Sequence, residues 1–272
     1  MPRNPPRGMM PRNPRRGNFK VVIPARYASA RLPAKPLLDL VGRPMIQWVI
    51  AAAVSSGAGE VLVATDDERI AAVSIDPRSG QSIAVMTSPE HLSGTDRIAE
   101  VAATRGWGER TIVVNVQGDE PQLPTALVEQ VATLLDQHPD ADIATLSTPI
   151  TTLHEFLDPN AVKVVTAEGG AALYFSRAPI PWTRDGAPQG LPSQTIFAGA
   201  QRHLGIYAYR VEALRRVTAL PPSELELAEK LEQLRALQAG MKLVVGVALV
   251  PPPAGIDTEA DLLRVRKLLG AG

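Results

Sequence analysis

The stretch VVIPARYASARLPAKPL, from Val21 to Leu37, begins as an apolar run and becomes a loop carrying Arg26, Ser29, Arg31 and Lys35 without a single glycine. Its start belongs to FKVVIPA (Phe19 to Ala25), which reads as a strand. After Pro44, the residues Met45, Ile46, Val49, Ile50, Ala53 and Val54 recur at helical spacing until Gly57. Strand, loop and helix then repeat. EVLVAT (Glu60 to Thr65), IAVMT (Ile83 to Thr87) and TIVVNVQGD (Thr111 to Asp119) read as further strands, separated by helical patterns near Asp67 to Val73 and Thr95 to Arg105. These strands are apolar throughout rather than alternating, as parallel strands covered on both faces must be. The expected fold is doubly wound α/β with a mostly parallel sheet.

The second half changes character. AVKVVTA and AALYFSR flank Glu168-Gly169-Gly170, a hairpin signal, and RHLGIYAYR (Arg202 to Arg210) alternates with period two. An additional antiparallel region over about 161–210 is expected. SELELAEKLEQLRALQAG (Ser223 to Gly240) reads as one helix with Leu227, Leu231 and Leu234 on its apolar side. The strand LVVGVAL (Leu243 to Leu249), the Pro251-Pro252-Pro253 break and a helix from Thr258 follow.

Composition narrows the possibilities. The 272 residues are 45% hydrophobic and 21% charged, ordinary values for a soluble globular protein. No apolar run approaches the roughly 18 residues that a membrane span needs. With no cysteine there are no disulfides, thiolate ligands or thiol nucleophiles. MPRNPPRG at Met1 is nearly repeated as MPRNPRRG at Met10, and such a Pro, Arg, Asn and Gly segment buries too little apolar surface to offset its ordering entropy. Residues 1–18 are expected to be a disordered basic extension, a cloning remnant or upstream start, before a single domain over 19–272. Five of the 28 basic residues lie in it, which leaves 23 against 28 acidic ones, so neither nucleic acid nor membrane is an expected partner of the body.

Open α/β sheets bind ligands beyond the carboxyl ends of their strands, where the Arg26 to Lys35 loop lies. Guanidinium forks and an ammonium neutralise a polyphosphate directly, which suits a nucleoside triphosphate; a solvated basic loop is the plainer reading. Asp119, in NVQGDEP, ends a buried strand and can hold a magnesium ion that bridges phosphate oxygens, or simply serve a turn after Gly118. In GIDTEADL, Thr258 can cap the last helix with Asp261, leaving Asp257 as a second metal ligand or a helix-entry carboxylate.

Eight segments, VVIPARYASARLPAKPL, HLSGTDR, NVQGDEP, NAVKVV, ALYFSRAPIPW, RHLGIYAYR, LEQLR and GIDT, occur in order from Phe19 to the last helix. Together they resemble the 3-deoxy-manno-octulosonate (Kdo) cytidylyltransferases, a branch of the sugar nucleotidylyltransferases with a Rossmann-like sheet. Ala34 departs from the family's usual glycine before the lysine. The resemblance implies transfer of CMP from CTP to Kdo with Mg2+ as cofactor, in a cytoplasmic homodimer serving lipopolysaccharide synthesis. It implies catalytic roles for Arg26, Lys35, Asp119 and Asp257, the two aspartates binding the metal. CTP would be held by Ala25, Arg26, Ser29, Arg31, Lys35, Thr65, Asp66, Ser93, Gly94, Thr95, Arg97 and Gln117. The sugar would meet Arg177, His203, Tyr207, Glu232 and Gln233.

Three rivals use similar parts. A CMP-N-acetylneuraminate synthetase shares the basic loop, but RHLGIYAY and LEQLR argue against it. A glycosyltransferase would carry a D-x-D element at a strand end, and an NAD enzyme a G-x-G-x-x-G loop, neither of which occurs at the expected place. A nucleotide sensor without turnover would not need two metal carboxylates.

Overall fold

Residues 17–28, 32–253, 255–256 and 258–270 are described by the computed structural model. Strand β1 (Phe19–Pro24) leads through the basic loop to the short strands β2 (Asp39–Leu40) and β3 (Arg43–Pro44) and to helix α1 (Met45–Ser55). There follow β4 (Glu60–Thr65), α2 (Glu68–Val73), β5 (Ala84–Met86), α3 (Gly94–Thr104), β6 (Ile112–Asn115), α4 (Thr125–Gln137), β7 (Ile143–Pro149) and α5 (Leu153–Leu157). The chain continues with β8 (Lys163–Thr166), β9 (Ala172–Ser176), β10 (Gln201–Arg210), α6 (Val211–Ala219), α7 (Glu224–Glu229), α8 (Gln233–Gln238), β11 (Leu243–Val247) and α9 (Glu259–Gly270).

The main sheet runs β11-β7-β10-β6-β1-β4-β5, with β10 antiparallel to its neighbours and the other recorded pairings along this path parallel. Alternate strand residues face two helical layers. Val21, Ile23, Val114 and Ala208 pack with Ile46 and Ile50 of α1 and Leu127 and Val131 of α4. Val22, Val113, Tyr207 and Tyr209 pack instead with Ile98 and Val101 of α3, Leu214 of α6 and Leu234 of α8. Burial on both faces is why the strands carry no polar stripe.

The antiparallel elements differ from the reading of the sequence in one respect. RHLGIYAYR is no peripheral addition: β10 lies at the centre of the sheet, its last four residues paired with β6 and its first two with β8. The β8–β9 hairpin thereby hangs on the same sheet. Between Leu204 and Tyr207 the register against β7 shifts by two residues, which preserves the alternation of faces. Thr145 Oγ1 holds this bulge, 2.8 Å from Ile206 O and 3.1 Å from Leu204 O.

The single helix expected over Ser223 to Gly240 is broken. Lys230 adopts the left-handed conformation (φ 54°) and ends α7, so Leu227 turns outward at 53% exposure while Leu231 and Leu234 remain buried. Helix α4 and strand β7 had no counterpart in the sequence reading. At the N-terminus, residues 1–16 of the expected extension lie outside the described residues, and the Gly17 N–H donates to Gly57 O at 2.9 Å.

Candidate active site

The carboxyl ends of β1 and β6 open into a cleft of about 580 Å³, bounded by the start of α3, the later part of β10 and the start of α8. Two loops converge tightly on the end of β1. A Cβ on Gly94 would come within 3.1 Å of the Pro24 ring, and one on Gly118 within 3.1 Å of Pro24 O, so a side chain at either position would press on the end of β1. This close approach joins the three segments into one wall.

One half of the cleft is cationic. Lys35, only 9% exposed, donates from Nζ to Asp119 Oδ2 at 2.7 Å, and Arg26 stands exposed beside it. Arg97 is buried at 3% exposure, its guanidinium fixed by Asp66 Oδ2 (2.7 Å), Thr87 Oγ1 (2.8 Å) and Ser88 O (3.1 Å). Helix α3 starts with a capping box, in which Ser93 accepts from Asp96 N and Asp96 accepts from Ser93 N. The positive end of the helix axis faces the same space, a natural place for phosphate.

The other half presents hydroxyl, carboxyl and amide groups. Tyr207, Tyr209, Glu232 and Gln233 line it together with Asn115. Burial raises the Glu232 carboxyl above its usual range, opposed by the Thr95 hydroxyl within hydrogen-bond reach. The same desolvation raises both tyrosines, so they stay neutral donors. Gln117 also lines the cleft, with Nε2 donating to Gly205 O in the β10 bulge at 3.4 Å.

Of the expected residues, Ala25, Arg26, Lys35, Ser93, Gly94, Thr95, Arg97, Gln117, Asp119, Tyr207, Glu232 and Gln233 are brought together here. Ser29, Arg31 and Asp257 lie outside the described residues. Thr65 and Asp66 do not line the cleft: Thr65 is fully buried and accepts from Asp67 N, and Asp66 holds Arg97 from behind. Arg177 is not on the wall either, because its guanidinium donates to Glu229 O (2.7 Å) and Pro159 O (3.0 Å). His203 packs behind the wall against Phe175 and Tyr207, next to Thr145 Oγ1, and desolvation there lowers its pKa to about 3.

The hydroxyl-rich half holds two residues that were not among the expected site residues. Asn115 is 3% exposed, with Oδ1 lacking a partner among the described residues; a lone polar residue closing the buried run TIVVN was the available signal. Tyr209 shares the face of Tyr207 by simple alternation.

A family model for cytidylyltransferases matches residues 20–243. The 3-deoxy-manno-octulosonate cytidylyltransferase of Nitrosococcus oceani is 53% identical over 254 residues, covering 93% of this chain and 96% of the relative. The chain belongs to the 3-deoxy-manno-octulosonate cytidylyltransferase family. The enzyme of that name from Thioalkalivibrio sulfidiphilus is 52% identical and is covered completely. A solved structure of CMP:2-keto-3-deoxy-manno-octonic acid synthetase complexed with CTP superposes with a TM-score of 0.82 at 40% identity, over 93% of this chain and 99% of that one. The mixed sheet with its central antiparallel β10 is thus a cytidylyltransferase fold.

Among the described residues no group of three or more His, Cys, Asp or Glu side chains gathers as a metal site, and no helix is long and apolar enough to cross a membrane. The segment before Asp257 nevertheless docks beside Asp119, with Ile256 N donating to Asp119 O at 3.3 Å.

Proposed function

We propose that this cytidylyltransferase transfers CMP from CTP to Kdo, forming CMP-Kdo and pyrophosphate. The observation that carries the reading is a single cleft with a cationic half and a hydroxyl-rich half at the carboxyl ends of β1 and β6, in a chain that matches Kdo cytidylyltransferases over 93% of its length. The cationic half suits the triphosphate. Arg26 and Lys35 neutralise phosphate oxygens as charge builds in transfer, and Arg97, unable to move away from Asp66, contributes a fixed positive charge at the α3 end. The other half suits a polyhydroxylated acid, with Tyr207, Tyr209, Asn115, Glu232 and Gln233 as hydrogen-bonding groups. The anomeric hydroxyl then attacks the α-phosphorus, pyrophosphate leaves, and the positioned groups align the two reactants.

Mg2+ is the cofactor we assign, held by Asp119 and Asp257. The donor chemistry fits a hard cation: the Asp119 carboxylate is 40% exposed at the cleft, and Mg2+ needs only one or two protein carboxylates when phosphate oxygens would supply the rest. Bound there, the ion supplies charge neutralisation on the phosphates and lowers the pKa of the attacking hydroxyl. A homodimer is also proposed, formed through the outer side of β9 and the segment that follows it, where Leu173, Trp182, Leu191 and Ile196 are exposed. We assign the protein to a bacterial cytoplasm, where the product would serve as an activated sugar acid for lipopolysaccharide.

The test is pyrophosphate release from CTP with Mg2+, run separately with Kdo and with N-acetylneuraminate. Release is expected with Kdo only, and not from Asp119→Ala. Release with N-acetylneuraminate alone would transfer the chain to the sister specificity, and CTP binding without release from either would leave a nucleotide sensor.

A further inference from the structure

We infer that Glu229 is a positioning residue for the sugar half of the cleft, an assignment that rests on the Kdo-transfer reading. Glu232 and Gln233 enter the cleft from the junction between α7 and α8, two helices of six residues each. Helices this short have little stability of their own, so the junction sits where tertiary anchors hold it. The Gln233 Nε2 atom is buried without a partner among the described residues, so its aim follows the backbone.

Arg235 of α8 pairs with Glu226 of α7, and the anchor that ties the junction to the sheet is the Glu229 carboxylate. Its Oε1 accepts from Ser176 Oγ at 2.6 Å and its Oε2 from Arg177 N at 2.9 Å. Its main-chain carbonyl, one of those left open at the end of α7, accepts from Arg177 Nε at 2.7 Å. The peptide of Arg177 is fastened in turn, because Lys163 Nζ donates to Arg177 O and Asp158 O, both at 2.8 Å. Lys163 has no solvent exposure; desolvation lowers its pKa, and the nearby Asp158 and Glu229 charges counter that only in part. Ser176 pairs with Lys163 across β9 and β8, and β8 pairs with β10, the strand that carries Tyr207 and Tyr209. Glu229 therefore references the helical wall of the sugar half to the same sheet that supplies the opposite wall. The cationic half is built by α3 and the β1 loop; Thr95 of α3 reaches Glu232 directly, and none of the bonds made by Glu229 passes through that half.

The experiment compares the full-length protein with Glu229→Ala and Glu229→Gln. Initial rates give KM for Kdo and for CTP, and amide hydrogen exchange is followed over residues 230–236. Val217→Ala, buried on α6, is the control for lost stability alone. Glu229→Ala is expected to raise KM for Kdo about tenfold or more, since small misplacements of binding groups are costly. KM for CTP should stay within about twofold. Glu229→Gln retains one acceptor and should lie between. Exchange at 230–236 should accelerate in Glu229→Ala and not in Val217→Ala. Unchanged KM for Kdo, or equal rises for both substrates, overturns the assignment. If the unmodified protein shows no turnover with Kdo, the functional reading falls by itself. Exchange then decides the anchor: acceleration at 230–236 sustains it, and unchanged protection overturns it.

Discussion

Ala34 occupies the left-handed region at φ 55°, ψ 28°, just before the buried Lys35. The turn holds it there, with Ala34 N donating to Tyr27 O (3.2 Å) and Leu37 N to Ala34 O (2.8 Å). A Cβ in this conformation costs about 1–2 kcal/mol. Glycine removes that cost but loosens the unfolded chain by about 0.4–1 kcal/mol. Ala34→Gly is therefore expected to stabilise the protein by about 0.5–1 kcal/mol. Unfolding entropy of about 2.1 cal/mol/K per residue, over 272 residues, converts this to a rise in Tm of about 1–2 °C. Urea unfolding and calorimetry read the two quantities. Ala51→Gly, in the middle of α1, is the control of opposite sign and should cost about 1 kcal/mol. Ala34→Val should destabilise, because a β-branched residue is strained at positive φ. If Ala34→Gly lowers stability as Ala51→Gly does, the strain at this position is not real.

Asp66→Asn removes the charge that fixes the buried Arg97; stability should fall by about 2 kcal/mol and KM for CTP should rise more than KM for Kdo, read by urea unfolding and initial rates. His203 is held neutral in the folded state, with its pKa lowered from 6.5 to about 3, so the unfolded chain alone takes up the proton as pH falls below 6.5. Its contribution is complete above pH 6.5 and declines toward pH 3. By pH 5 the loss amounts to about 1–2 kcal/mol, which His203→Asn should abolish. Parallel stability curves for the two proteins from pH 7 to 5 would contradict this.

Much of the fold was legible because its signals are local. Buried β-branched runs such as EVLVAT became β4 residue for residue, and the helical pattern expected from Thr95 to Arg105 became α3 to within one residue at each end. The order of chemistry-bearing segments was legible as well. Each strand of a doubly wound sheet delivers its following loop to one edge, so Arg26, Lys35 and Asp119 had to meet there.

What the sequence by itself determined was therefore the class of sheet and the position of the cleft, since apolar periodicity and strand-end placement depend on neighbours along the chain; most of the residues around the cleft were legible only through the family resemblance. Only the tertiary structure decided which polar side chains reach the cleft and which are consumed in holding it. Asp66 and Arg177 carry the same charges in either role. Their partners, Arg97 and the Glu229 carbonyl, lie 31 and 52 residues away in sequence, and hydrogen bonds over such separations leave no periodic trace. The central place of β10 and the break at Lys230 were decided in the same way. Each depends on which surfaces were left to pair once the parallel strands and their helices had packed.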